Sequence, residues 1–368
     1  MSRPTICLAM IVRNEAHILT RCLDSVRPYI DHAVICDTGS TDDTCVMAKS
    51  YLKAAGIPGK VLHQPWQDFG HNRTLALQAA AGTGCEWTLV IDADETLVVE
   101  NPDVLEGLQN DAYRIEMRFP GVSYPRLNLV RSARDFRYVG VIHEYATADP
   151  HPAEYMLDPA KIHMWTDGQG ARGKSPDKSQ RDCKVLEHAV LDEPQNPRYW
   201  FYLAQTYETV GRAGDALKAY AQRAGMGDYK AEVWFSLYRM AQLHAHLNQW
   251  PEAQRYYLMA YEHSPHRAEP LYWLAIGHHN RQQDNTALLY LEQATVIDEP
   301  IGDLFVENAV YKSSRWMQYA ICLHNVGKQA EAEEIAVMAL ADNRVPPEHR
   351  EVLAAIAGQV KTAVEATA

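Results

Sequence analysis

Residues 87–96 read WTLVIDADET, a short apolar run that breaks off into Asp92, Asp94 and Glu95. A run of this length, bounded by polar residues, predicts a buried strand, and its acidic end predicts an edge where charge meets solvent or a ligand. In open α/β sheets ligands gather beyond the carboxyl ends of the strands. Asp92 and Asp94 are two residues apart, so in extended backbone they share a side. Two carboxylates that close repel one another, and a divalent cation bound through oxygen relieves the repulsion. Taken alone, the triplet is equally an ordinary acidic turn.

The surroundings place this strand in a larger pattern. TICLAMIV (5–12), HAVICD (32–37) and GKVLHQ (59–64) read as strands, separated by stretches 15–29, 42–56 and 71–82 with apolar residues at helical spacing. Alternating strands and helices predict an α/β domain with a mostly parallel sheet. AYRIEMRF (112–119) and LNLVRS (127–132) read as further strands, followed by a connecting region to about residue 180. The predicted first domain is 1–180.

Beyond residue 181 the strand signals stop. Aligning GRAGDALKAY, NQWPEAQRYY, QQDNTALLYL and GKQAEAEEIA puts Ala216, Ala253, Ala287 and Ala332 at one offset, spaced 37, 34 and 45 residues apart. A recurring alanine permits close packing of paired helices, and the spacing is near the roughly 34-residue pitch of tetratricopeptide helix pairs. Residues 181–368 therefore resemble degenerate tetratricopeptide repeats. Their aromatic and histidine-rich first helices, with Trp200, Tyr202, Trp234, Tyr238, Trp273, His278 and His279, read as packing between repeats.

Composition narrows the function. The net charge is −12 across 368 residues, which disfavours a phosphate backbone as partner, so no nucleic acid is expected. No apolar window is long enough for a membrane span and the first residues lack a secretory pattern, so a cytoplasmic location is expected. The seven cysteines are scattered, odd in number and without a CxxC pair, which argues against both a disulfide framework and a structural zinc cluster, and they read as mostly buried thiols.

In order along the chain, MIVRNE, DTGSTDDT, FGHNRTLALQAAAG and VIDADE resemble the motifs of family-two glycosyltransferases, which have the GT-A fold; the resemblance covers roughly residues 4–165. It implies a nucleotide pocket lined by the segment from Met10 through Arg13 to Glu15. It implies a base-binding Asp37 with Gly39 and Ser40 in the following turn, and an Arg73 that recognises base or phosphate. Asp92 and Asp94 match the DxD motif, with Asp92 nearer the ribose and Asp94 on Mg²⁺ or Mn²⁺ bridging the diphosphate. A metal there neutralises the leaving group as a Lewis acid. His163 resembles the histidine that completes the metal shell in several GT-A enzymes.

Inverting transfer needs a base for the acceptor's proton, and Glu144 is the candidate, with His143 beside it. A His-Glu pair here departs from the commoner acidic pair of the family. Arg172, Lys174 and Lys178, in a Gly- and Ser-rich segment, read as a lid that clamps phosphate.

The resulting expectation is a metal-dependent glycosyltransferase using Mn²⁺ or Mg²⁺ and a nucleotide sugar, UDP-linked by preference. The acceptor is a glycan, protein or small molecule held by the repeats, which offer a further surface for homo-oligomers. Two rival readings stand beside it. A non-catalytic tetratricopeptide adaptor would have no reason to keep Asp37, Arg73, Asp92 and Asp94 together. A nucleotidyltransferase would show a Gly-rich loop after the first strand, where MIVRNEAH has no glycine.

Overall fold

The computed structural model describes residues 3–120, 122–171 and 177–365. The chain divides into two compact units, Met1–Asp192 and Glu193–Ala368. The helix beginning at Lys178 goes with the first unit, so the division falls at that helix's end.

The first unit opens with strictly alternating elements: β1 (Ile6–Val12), α1 (Leu19–Val26), β2 (His32–Asp37), α2 (Thr44–Ala55), β3 (Gly59–His63), α3 (Phe69–Ala81) and β4 (Trp87–Val90). These four strands are parallel in the order β3-β2-β1-β4. β1, β2 and β4 are apolar on both faces because helices and loops cover both. Leu8, Met10 and Ile35 pack into one core, while Cys7, Ala9 and Val34 pack with Ala76 and Ala80 of α3 into another.

The sheet then continues through β5 (Glu95–Val99), β6 (Ala112–Phe119) and β7 (Val122–Arg131). A second small sheet pairs β8 (Arg137–Val139) with β9 (Tyr145–Thr147). The region read as a mere connection also supplies β10 (Glu154–Met156) and β11 (Ile162–Thr166), completing the path β4-β7-β6-β11-β5 with β10 on β6. Strands this short, three to five residues, carry too little periodicity to stand out in sequence. α4 (Lys178–Asp192) closes the unit.

The second unit is four antiparallel helix pairs and a final helix. The pairs are α5 (Pro197–Thr209) with α6 (Ala213–Gly225), α7 (Lys230–His246) with α8 (Trp250–His263), α9 (Glu269–His279) with α10 (Asp284–Thr295), and α11 (Arg315–Asn325) with α12 (Gln329–Leu340); α13 (Pro347–Glu365) follows. Ala216, Ala253, Ala287 and Ala332 are all fully buried, each on the second helix of a pair, where any larger side chain would hold the pair apart. The long third interval arises from the loop and wide helical turn that precede α11, ending with Val310–Ser314. Trp234, Tyr238 and His278 are buried, as packing residues should be; Trp200, Tyr202, Trp273 and His279 are half-buried.

Candidate active site

The decisive strand ends sooner than its sequence suggests. β4 stops at Val90, and residues 91–94 turn, closed by the Glu95 amide donating to the Asp92 carbonyl at 3.0 Å. Asp92 and Asp94 thus leave the extended register that would have put them side by side, and they enter different surroundings.

Asp92 faces cations. Its two oxygens accept from Arg73 Nη1 at 2.8 Å and Nη2 at 2.9 Å, and Arg126 Nη1 stands 3.7 Å away. Burial pushes the Asp92 carboxyl up, but these two guanidinium groups outweigh it and hold it below the usual carboxylate range. Arg73 also donates from Nε to Glu144 at 2.7 Å. One planar fork therefore aligns the first aspartate of the triplet with the candidate base. Arg73 and Glu144 are each only 12% exposed, which protects the pair from solvent screening.

Asp94 faces carboxylates. Its Oδ2 accepts a 3.3 Å bond from the Gly170 amide, and burial followed by the nearby Asp92 charge pushes its carboxyl upward. In the segment after β1, Glu15 accepts from the Ala171 amide at 3.1 and 3.2 Å. Burial first, then Asp94, Asp92 and Asp42, push Glu15 up to about 7. Glu15 and Asp94 are thus half-buried carboxylates with negative neighbours, a repulsion that a cation would relieve.

Local structure fixes these groups. Asn14 adopts a left-handed conformation (φ 58°), and its side chain accepts from the Thr41 amide at 2.7 Å. The Asn14, Glu15 and Ala16 amides in turn donate to Ser40, Thr44 and Asp42, so the 13–16 segment is clamped to the start of α2. α3 begins with Asp68 accepting from the His71 amide at 2.7 Å. It lies against β8 so closely that a Cβ on Gly70 would come within 2.5 Å of the Gly140 carbonyl oxygen. Thr74 adds a bond from the Tyr138 amide at 2.9 Å. That contact brings Arg73 under Glu144.

The other expected residues differ in their surroundings. Met10 is 1% exposed and packed in the core, because both faces of β1 are covered, so its side chain lines no pocket. Asp37 is 3% exposed and accepts from the Gly39 and Ser40 amides at 3.1 to 3.3 Å. Burial raises its carboxyl, and the Ser40 and Gly39 bonds more than compensate, leaving it lowered. It builds its own turn. Arg13 is exposed, His143 is exposed in a left-handed conformation (φ 52°), and Lys178 is exposed in the first turn of α4. Arg172 and Lys174 lie outside the described residues.

His163 does not join the aspartates. In β11 it pairs with Val98 while Thr166 pairs with Glu95, so the strand rise puts it about 10 Å from Glu95 along the ladder. Its Nδ1 is buried without a hydrogen-bond partner among the described residues, and burial, then Arg118, lower its proton affinity.

Arg126 carried no role in the sequence reading. It bridges Asp92 and Glu95, binding Glu95 Oε2 at 2.5 Å, while Glu95 also accepts from the Asp92 amide at 2.9 Å. The available signal was an arginine immediately before the LNLVRS run, at a point where an apolar strand has no local use for charge. Glu95 is 4% exposed and holds the turn together.

Residues 7–126 match the family model for glycosyl transferase family 2. The first unit carries a family-two glycosyltransferase domain. The chain is 25% identical over 227 residues to the SPbeta prophage-derived glycosyltransferase SunS of Bacillus subtilis, covering 58% of this chain and 52% of that protein. It is 34% identical over 88 residues to the lipopolysaccharide core biosynthesis glycosyltransferase LpsC of Rhizobium meliloti, covering 24% and 31%. A TPR repeat-containing protein of Synechococcus elongatus is 39% identical over 148 residues, covering 38% and 34%. The chain thus spans about half or less of the length of these relatives. Among solved structures, that of MamA aligns with a TM-score of 0.38 at 14% identity over 45% of this chain and 88% of that one, too low to carry argument. No helix among the described residues is long and apolar enough to cross a membrane.

Proposed function

We propose that the chain is a metal-dependent glycosyltransferase that moves a sugar from a nucleotide-diphosphate donor, UDP-linked by the family resemblance, to an acceptor glycan, protein or small molecule, with inversion. The observation that carries this reading is the division of labour at the end of β4. Asp92 is neutralised by Arg73 and Arg126, while Asp94, held by the Gly170 amide, is pushed upward by burial and by the Asp92 charge.

Asp94 would hold Mn²⁺ or Mg²⁺, which suits a cation that keeps few protein ligands and shares the rest with substrate phosphates. When bound, the ion supplies charge neutralisation for the departing diphosphate. The nucleotide lies along the carboxyl ends of β1 and β2, between the 13–15 and 37–40 segments. Arg73 aims Glu144, which takes the proton of the acceptor as the acceptor's nucleophilic atom attacks the anomeric carbon. The bond from that carbon to the diphosphate breaks, and its electron pair leaves with the nucleotide. Segment 167–171, tethered by Arg21 to Asp167 at 2.8 Å and by its amides to Glu15 and Asp94, covers the carboxylates and limits water.

Calorimetry with UDP and Mn²⁺ tests this reading. Wild type should bind UDP in a metal-linked manner, and Asp94→Asn should lose the metal dependence. A panel of nucleotide sugars with Mn²⁺ then identifies the donor by its hydrolysis. Metal-independent UDP binding, unchanged in Asp94→Asn, would overturn the metal assignment.

A further inference from the structure

In the second unit three donor atoms of different chemistry converge on one point. His279 closes α9, Asp284 opens α10, and Cys322 lies on α11; one donor atom from each falls within 4.8 Å of the other two. His279 Nδ1 is 2.6 Å from Asp284 Oδ1 and 3.9 Å from Cys322 Sγ.

The same histidine nitrogen meets both partners. A nucleophilic relay needs the base to present one ring nitrogen to the thiol and the other to the carboxylate. With Nδ1 shared, the group is not a relay. Convergence on one point is instead the arrangement of a cation's ligands.

The pair is not needed to fix the turn between α9 and α10. That work is done by His278 and Gln283 at 2.7 Å, the counterpart of His244 and Gln249 at 2.7 Å between α7 and α8. Each of those residues recurs 34 positions on, and the same step back from His279 and Asp284 reaches Ala245 and Trp250, which offer no metal ligand. The third pair is an addition, and Cys322 comes from the following repeat.

A supporting layer is also present. Asn325 Nδ2 donates to the other Asp284 oxygen at 3.0 Å, and Gln318 Nε2 donates to Cys322 Sγ at 3.3 Å. Bonds of this kind orient ligands in metal sites. Donor atoms around a tetrahedral zinc lie roughly 3.3–3.7 Å apart. The sulfur-to-nitrogen distance is already near that, and Asp284 need retreat by only about 1 Å once the shared proton is gone. Cys322 is fully buried while His279 and Asp284 are half-buried, so the ion has a route in from their side.

We propose that His279, Asp284 and Cys322 form a zinc site that ties α9 and α10 to α11, with a fourth position left to water or an external ligand. Mixed nitrogen, oxygen and sulfur donors suit Zn²⁺ and disfavour Mg²⁺ or Mn²⁺, the ions suited to Asp94. The test uses the full chain, stripped by chelator and titrated with Zn²⁺ alone, with Co²⁺ as the spectroscopic probe. One high-affinity ion per chain and a thiolate-to-cobalt charge-transfer band are expected. Cys322→Ser should abolish the band, and Asn325→Ala, which leaves all three ligands, should weaken Zn²⁺ binding roughly 10- to 100-fold. Asp94→Asn should change neither. Circular dichroism of each stripped variant confirms that it folds. Undiminished Zn²⁺ affinity in a folded Cys322→Ser, or a cobalt spectrum without the thiolate band, would overturn the proposal.

Discussion

Glu15 shows what a single residue reveals about its site. Its carboxyl rises from 4.5 to about 7, first by burial and then through Asp94, Asp92 and Asp42, against the pull of the Ala171 amide. A folded-state value above the unfolded one means that folding takes up a proton between those limits. Stability of the metal-free protein therefore falls as pH rises through that window, and the penalty is complete above it. Glu15→Gln should raise the melting temperature at pH 8 and leave it nearly unchanged at pH 4, below the window, with a gain at pH 8 of about 1–2 kcal/mol once solvent screening of this half-exposed group is allowed for. Saturating Mn²⁺ should shrink the difference, because a cation at Asp94 removes the same repulsion. An equal gain at both pH values would show that the charge is not the cause. Nothing in VRNE predicts such a shift, since it arises from carboxylates delivered by other segments.

Elements decide which predicted residues meet. The strands and helices up to β4 were legible because each has a period long enough to read, and the repeat helices because an alanine marks each pair. The end of β4 was less so: the same apolar letters that predict a strand to Asp92 also permit the turn that separates Asp92 from Asp94. His163 is an instructive case, since its motif position suggested a ligand while its β-register places it beside Val98. Arg126 went unread because its partners lie 34 and 31 residues away in sequence, in the turn after β4. The packing of α3 on β8 was equally hidden, and it is testable. Gly70→Ala would thrust a methyl group into the Gly140 carbonyl, a backbone atom that cannot swing aside. We expect a loss of about 1–3 kcal/mol in stability. Because the shift separates Arg73 from Glu144, turnover should fall more than donor affinity; a stable variant of normal turnover would show that this contact does not set the site.

At the scale of the whole molecule, each unit has its own core, and each has a cluster of donor atoms suited to a different class of ion. The carboxylates near β4 are oxygen donors beside a proposed diphosphate pocket. The His279 cluster mixes nitrogen, oxygen and sulfur, and no cysteine spacing announces it because its members come from three helices of two repeats. Scattered thiols read as buried packing residues in sequence, and all seven are free, five of them buried; Cys322 gains a second role only through its neighbours in space. Hydrogen exchange separates the two sites in one sample. UDP with Mn²⁺ should slow exchange at residues 91–95 and 167–171, whose amides already close on the carboxylates, and leave 276–290 and 318–326 unchanged. Zn²⁺ should do the reverse, since an ion that binds only the folded state stabilises what it ties together, by about 2.7 kcal/mol at a hundredfold excess over its dissociation constant. Protection by Zn²⁺ confined to residues 91–95 would assign the ion to the transferase site and remove the second centre.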